Sequence, residues 1–87
     1  MSSSREPVQV LMYGTTWCGD CARSKRFLES RSVPYEWINI EEVPEAAEIV
    51  RNLNHGKQIV PTILLPSGKV LAEPSDRELA EALDISA

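Results

Sequence analysis

The chain is poor in most of the features that mark a specialised class of protein. Its 87 residues hold two cysteines, one histidine and four glycines. Two cysteines cannot build the disulfide framework of a small secreted domain. No apolar run approaches the roughly 20 residues needed to cross a bilayer. The opening MSSSREP has neither the basic n-region nor the long apolar h-region of a signal peptide, so the cytoplasm is the expected compartment and no membrane is expected as a partner. Positive charge is also short. Nine Lys and Arg against 13 Asp and Glu give a formal net charge of −4, which disfavours nucleic acid, because its binders need a basic face to displace counterions. Hydrophobic residues at 43% and charged residues at 25% exclude disorder and collagen-like structure, and what remains fits one small core.

Residues 1–6 read as a flexible polar tail, and 7–87 as one domain beginning at Pro7. Val8 to Tyr13 is a short β-prone run, right for a buried strand. From Cys18 to about Ser30, Cys21, Ser24, Phe27 and Leu28 recur at helical spacing with charged residues between them, and Val33-Pro34 marks the end of that helix. Tyr35 to Ile40 predicts a second strand. Pro44 suits the first turn of a second helix, whose stripe is Ala46, Ile49, Val50 and Leu53, with Gly56 as its expected stop. Thr62 to Leu65 and Val70 to Ala72 flank Pro66-Ser67-Gly68 and read as a hairpin. Ser75-Asp76-Arg77-Glu78 has the form of a capping box, followed by an apolar stripe of Leu79, Ala80 and Leu83. The order β-α-β-α-β-β-α predicts an α/β fold with a four-stranded mixed sheet and helices on both faces. Its first two strands should run parallel through a right-handed crossover, and the closing hairpin should be antiparallel.

Cys18-Gly19-Asp20-Cys21 falls directly after a strand and turn, at the start of a helix. There, unpaired backbone N–H groups and the positive end of the helix dipole favour an anion. A thiolate is the species that attacks disulfides. Cys18 at the tip is therefore the expected nucleophile, and Cys21, one turn in and more shielded, the resolving thiol. Two intervening residues in a first turn allow the sulfurs to form a disulfide. The surrounding stretch is locally basic: Arg23, Lys25, Arg26 and Arg31 stand against Asp20 and Glu29, whereas nine of the 13 acids lie in Glu41–Glu48 and Glu73–Asp84. That basic stretch should help form a thiolate and attract an anionic substrate, while Asp20 competes with the thiolate for the same field. A structural zinc site would need four ligands, and the chain offers one pair plus the lone His55, to which no chemistry is assigned. Two buried, inert cysteines remain the plainer alternative.

Tyr13-Gly14-Thr15-Thr16-Trp17-Cys18-Gly19-Asp20-Cys21, Val60-Pro61-Thr62 and Pro74-Ser75-Asp76, in this order of strands and helices, resemble the glutaredoxin family of the thioredoxin-like fold. Within it the likeness is to the mycoredoxins and similar actinobacterial proteins, and it covers about residues 7–84. The resemblance implies a thiol–disulfide oxidoreductase with catalytic Cys18 and Cys21 that reduces mixed disulfides with a low-molecular-weight thiol as co-substrate. It implies no metal and no organic cofactor. Pro61 matches a cis-proline facing the active cysteine, and Val60 before it would leave backbone groups free to pair with an extended thiol peptide. Lys57 and Gln58 match positions that hold a substrate carboxylate, although simple solvation serves a loop Lys and Gln equally well. Ser75 and Asp76 match a helix N-terminus that receives the other end of glutathione. Trp17 either walls the groove or packs into the core, with the groove favoured, and Tyr13 and Trp37 are expected in the core.

The departures from the family pattern shape the expected partners. Gly19 and Asp20 replace the usual Pro-Tyr, Thr15 stands where a cation is common, and Glu73-Pro74 replaces a Gly-Gly. Losing a cation and gaining Glu73 weakens recognition of a doubly anionic tripeptide and favours mycothiol over glutathione. The expected partners are thiolated or disulfide-bonded proteins together with mycothiol or glutathione, and the protein is expected to be a monomer. The alternatives are a redoxin fed by thioredoxin reductase and a metal or iron–sulfur binding module that uses the same cysteines.

Overall fold

In the computed structural model residues 9–85 are described, so the expected tail over 1–6 and the start of the first strand at Val8 lie outside the described residues. Strand β1 (Val10–Gly14) leads through a short loop into helix α1 (Gly19–Ser30), and strand β2 (Tyr35–Asn39) follows. Helix α2 (Pro44–Leu53), strands β3 (Thr62–Leu64) and β4 (Val70–Ala72), and helix α3 (Asp76–Leu83) complete the order β-α-β-α-β-β-α. The sheet runs β2-β1-β3-β4, with β1 parallel to β2 and antiparallel to β3, and β3 antiparallel to β4. This is the thioredoxin-like α/β arrangement.

The central strand is covered on both sides, which explains its nearly unbroken apolar run. Its side chains alternate between two clusters. Val10 and Met12 join Phe27 and Leu28 of α1, Ile63, and Leu79 and Ala80 of α3 on one face. Tyr13 joins Ile40 and Ala46 and Val50 of α2 on the other, with Leu11 and Leu64 packed against them. Each fully buried aliphatic side chain here contributes about 1.5–3 kcal/mol relative to exposure. The hairpin turns at Leu65-Pro66-Ser67-Gly68, where Gly68 N–H reaches the Leu65 carbonyl at 2.8 Å and Gly68 takes φ +96°. Only a residue tolerant of the left-handed region closes such a turn cheaply.

The helix ends differ from the expectation in one respect. All three helices stop at a non-glycine in the left-handed region: Ser32 (φ 58°), His55 (φ 57°) and Asp84 (φ 59°). In each case the next amide reaches back five residues, Val33 to the Leu28 carbonyl, Gly56 to Arg51 and Ile85 to Ala80. The hydrogen-bonded closure, rather than a glycine, ends the helix. Gly56, expected as the stop of α2, lies one residue beyond it. Trp37 also departs from its expected place, because it is only partly buried, whereas Tyr13 is in the core.

Candidate active site

The carboxyl end of β1 sets the site. Gly14 closes the strand, Thr15 accepts the Cys18 N–H at 3.4 Å, and Cys18 becomes the N-cap of α1 in an extended conformation. Its Sγ accepts the backbone N–H of Cys21 at 3.0 Å, so the sulfur occupies the place usually taken by a serine or aspartate oxygen. A thiolate accepts such a bond more strongly than a thiol does. Cys18 is partly exposed, whereas Cys21 retains 1% of its surface. Burial pushes the Cys21 thiol up to about 12, and its hydrogen bond to the Cys18 side chain acts in the same direction. Cys21 is thus a protonated thiol near neutral pH, and the two sulfurs differ in exposure and environment.

Two neighbours outside the Cys18–Cys21 segment shape the pocket of Cys21. A Cβ on Gly14 would lie 2.5 Å from Cys21 Sγ and 2.9 Å from the Trp37 ring, so only glycine lets strand, sulfur and indole meet. Nothing local to Gly14 in the sequence shows this role, because Trp37 arrives from β2. The hydroxyls of Thr15 and Ser24 are buried without a hydrogen-bond partner among the described residues.

The basic stretch of α1 does not present itself as expected. Arg23 Nη1 binds Asp76 Oδ1 at 2.8 Å, and its Nη2 reaches Asp20 at 3.3 Å and the Pro74 carbonyl at 3.2 Å. The cation nearest Cys18 in sequence is therefore answered by acids from its own helix and from α3. Lys25 lies instead over the Trp37 ring, 3.8 Å from its centroid. Of this stretch, Arg23 is thus held by carboxylates and Lys25 by an aromatic face. At α3 the capping box is present: Ser75 Oγ accepts the Glu78 N–H at 3.0 Å and the Ser75 N–H reaches Glu78 Oε1 at 2.8 Å. Both groups are thereby committed within the chain, as is the Asp76 carboxylate.

The Val60–Pro61 peptide is cis, and the strand register places Pro61 just past the Tyr13–Thr62 pair, level with the end of β1. Pro61 is buried, with its carbonyl held by the Glu73 N–H at 2.9 Å. The backbone of Val60 has no hydrogen-bond partner among the described residues. A buried network that the sequence did not reveal fixes this loop. Thr62 Oγ1 donates to the Ile59 carbonyl at 2.6 Å and accepts from Asn54 Nδ2 at 3.0 Å, while Asn54 Nδ2 also reaches the Val50 carbonyl. Gln58 is exposed and accepts from Arg51 at 3.2 Å, and Lys57 is exposed as well. Trp17 is 69% exposed, which excludes the core reading, and its Nε1–H donates to Glu41 Oε2 at 2.9 Å. His55 is exposed, and no group of three or more His, Cys, Asp or Glu among the described residues is arranged to hold a metal ion.

Residues 10–70 match the family model for glutaredoxin. The chain belongs to the glutaredoxin family, and it is a glutaredoxin-like redox protein of the thiol–disulfide oxidoreductase class. Over 74 residues it is 38% identical to the Mycobacterium tuberculosis (strain ATCC 25618 / H37Rv) protein named "Putative glutaredoxin Rv3198A", covering 85% of this chain and 88% of that one. It is 30% identical to mycoredoxin 1 of Corynebacterium glutamicum over 75 residues, 86% of this chain and 92% of the relative. Among solved structures it is similar to the glutaredoxin-like NrdH-redoxin of Escherichia coli, with a TM-score of 0.74 and 26% identity over 90% of this chain and 97% of that one.

Proposed function

We propose that the protein reduces mixed disulfides between proteins and a low-molecular-weight thiol, with mycothiol as the preferred thiol. The observation that carries this reading is the asymmetry of the two sulfurs: Cys18 is accessible and capped by an amide donor, and Cys21 is buried and protonated. Cys18 thiolate attacks the mixed disulfide, one S–S bond forms as another breaks, and the target leaves as its thiol. A second small thiol, or Cys21, then releases the group left on Cys18. The partly exposed Val60 supplies free backbone groups to an extended substrate beside Pro61, and Trp17 offers a flat apolar surface next to the nucleophile. No metal or organic cofactor takes part.

Preference for mycothiol rests on charge. Asp20 and Asp76 already occupy Arg23, and Glu78 occupies the Ser75 amide, so the carboxylates of glutathione find these donors engaged. A thiol on a sugar scaffold with fewer anionic groups avoids that competition, and the likeness to mycoredoxin 1 supports the same preference. A second reading, electron supply by thioredoxin reductase, is favoured by the likeness to the NrdH-redoxin, whose structure was described for its thioredoxin-like activity profile. One comparison separates them. Reduction of a model mixed disulfide is followed with glutathione, with mycothiol, and with NADPH and thioredoxin reductase. The first reading expects the highest turnover with mycothiol, and turnover only with the reductase overturns it.

A further inference from the structure

Lys25 lies one helical turn beyond Cys21 on α1, and its Nζ sits 3.8 Å from the centroid of the Trp37 ring. The same indole meets the sulfur of Cys21 over Gly14, since one point, an ideal Cβ on Gly14, is 2.5 Å from that Sγ and 2.9 Å from two atoms of the ring. The ammonium and the buried thiol therefore share one indole as a neighbour. The stem of a lysine at this position on a helix surface would otherwise extend into solvent.

We propose that Lys25, fixed over Trp37, is a positioning residue for the resolving step, stabilising the thiolate that Cys21 becomes when it attacks the Cys18 mixed disulfide. This rests on the reading of Cys21 as the resolving thiol. In that step Cys21 gives its proton to water and its sulfur bonds to Cys18 Sγ. The bond from Cys18 to the small thiol breaks, and the departing thiolate takes up a proton. One disulfide is consumed and one is formed, so no other oxidant or reductant is needed.

Few groups act on Cys21. From α1 come Cys18 and Lys25, from the loop after β1 the Thr15 backbone amide, and from β2 the uncharged Trp37 ring. Cys18 and burial oppose ionisation, whereas the Thr15 amide and Lys25 favour it. Once Cys18 is tied up in a mixed disulfide its charge and its acceptor role are gone, which leaves the Thr15 amide and Lys25 as the groups that favour the thiolate. Glu29, the acid one turn beyond Lys25, is engaged by the Tyr35 hydroxyl at 2.6 Å.

The test uses the full chain and 2-hydroxyethyl disulfide, an uncharged probe. The reduced protein is mixed with the probe from pH 5 to pH 9 and quenched in acid, and mass spectrometry follows the Cys18 adduct and its closure to the internal disulfide. Lys25→Met is expected to close about tenfold more slowly at neutral pH, with its closure profile displaced to higher pH, as loss of one nearby opposite charge predicts. Lys25→Arg keeps a cation over the ring and stays near the parent rate. Adduct formation in Cys21→Ser is the same with and without Lys25→Met. An unchanged closure rate and profile in Lys25→Met overturns the proposal, as does equal slowing by Lys25→Arg. If the parent protein forms no adduct at Cys18, or never converts it to the internal disulfide, the resolving reading itself fails and the proposal falls with it.

Discussion

At the scale of single residues, three positions of one helix turn separate two thiols of the same intrinsic chemistry. The N-cap sulfur looks outward and takes an amide donor, and the one inside the first turn looks into the core. This division was legible in the sequence, because helical spacing alone says which cysteine shares a stripe with Ser24, Phe27 and Leu28. What encloses Cys21 was not legible. Gly14 and Trp37 meet it from two strands, and no local pattern encodes such an approach. Gly14→Ala should therefore cost about 1–3 kcal/mol by overpacking, read as a lower midpoint in denaturant unfolding of the reduced protein, and an unchanged midpoint would mean that the sulfur and ring move freely. The Cys21 thiol also links stability to pH. Folded, it keeps its proton to about pH 12, whereas an exposed thiol loses it near 9.0. Between those values the unfolded chain binds fewer protons, so the reduced protein loses stability as pH rises, and the contribution is fully present below about 9.0. Tyr35, pushed up to about 12 by burial and by its bond to Glu29, adds to the loss above 10.0. Denaturant midpoints of reduced parent and Cys21→Ala should diverge in slope between pH 9 and 10, and parallel lines would contradict the burial argument.

At the scale of elements, most of the fold was written in periodicity. A two-sided central strand, two strongly amphipathic helices and a Pro-Ser-Gly turn leave few ways to assemble a β-α-β-α-β-β-α chain. Boundaries shifted by a residue, as at Asn39 and Leu64, where the strands end one position early, and at His55, which takes the left-handed place expected of Gly56. The loop between α2 and β3 is different. Its sequence offers no periodicity, and its order comes from Asn54 and Thr62, two buried polar residues eight positions apart that only the folded chain brings together. Thr62→Val removes the donor to the Ile59 carbonyl and the acceptor for Asn54, and should cost about 1–3 kcal/mol. Hydrogen exchange would place the loosening in residues 55–61, and loosening spread evenly over the sheet would show that the network does not anchor the loop.

At the scale of the whole molecule, the net charge of −4 is arranged around the site rather than kept away from it. Acids of α3 and of α1's first turn engage Arg23, and Glu41 from the β2–α2 connection holds the Trp17 indole. The positive end of α1 thus stands in a frame of committed carboxylates, with the N-cap sulfur of Cys18 partly exposed beside them. These contacts span up to 53 positions of sequence, which is why the local charge pattern could not show that Arg23 is engaged by carboxylates. Mapping the adduct tests the division of labour between the two sulfurs most directly. Cys21→Ser and Cys18→Ser are each exposed briefly to a small-molecule disulfide, and the modified residue is located by mass spectrometry of peptides. The account predicts one stable adduct on Cys18 in Cys21→Ser and none forming at a comparable rate in Cys18→Ser. Rapid modification of Cys21 in Cys18→Ser, with continued reductase activity, would contradict it.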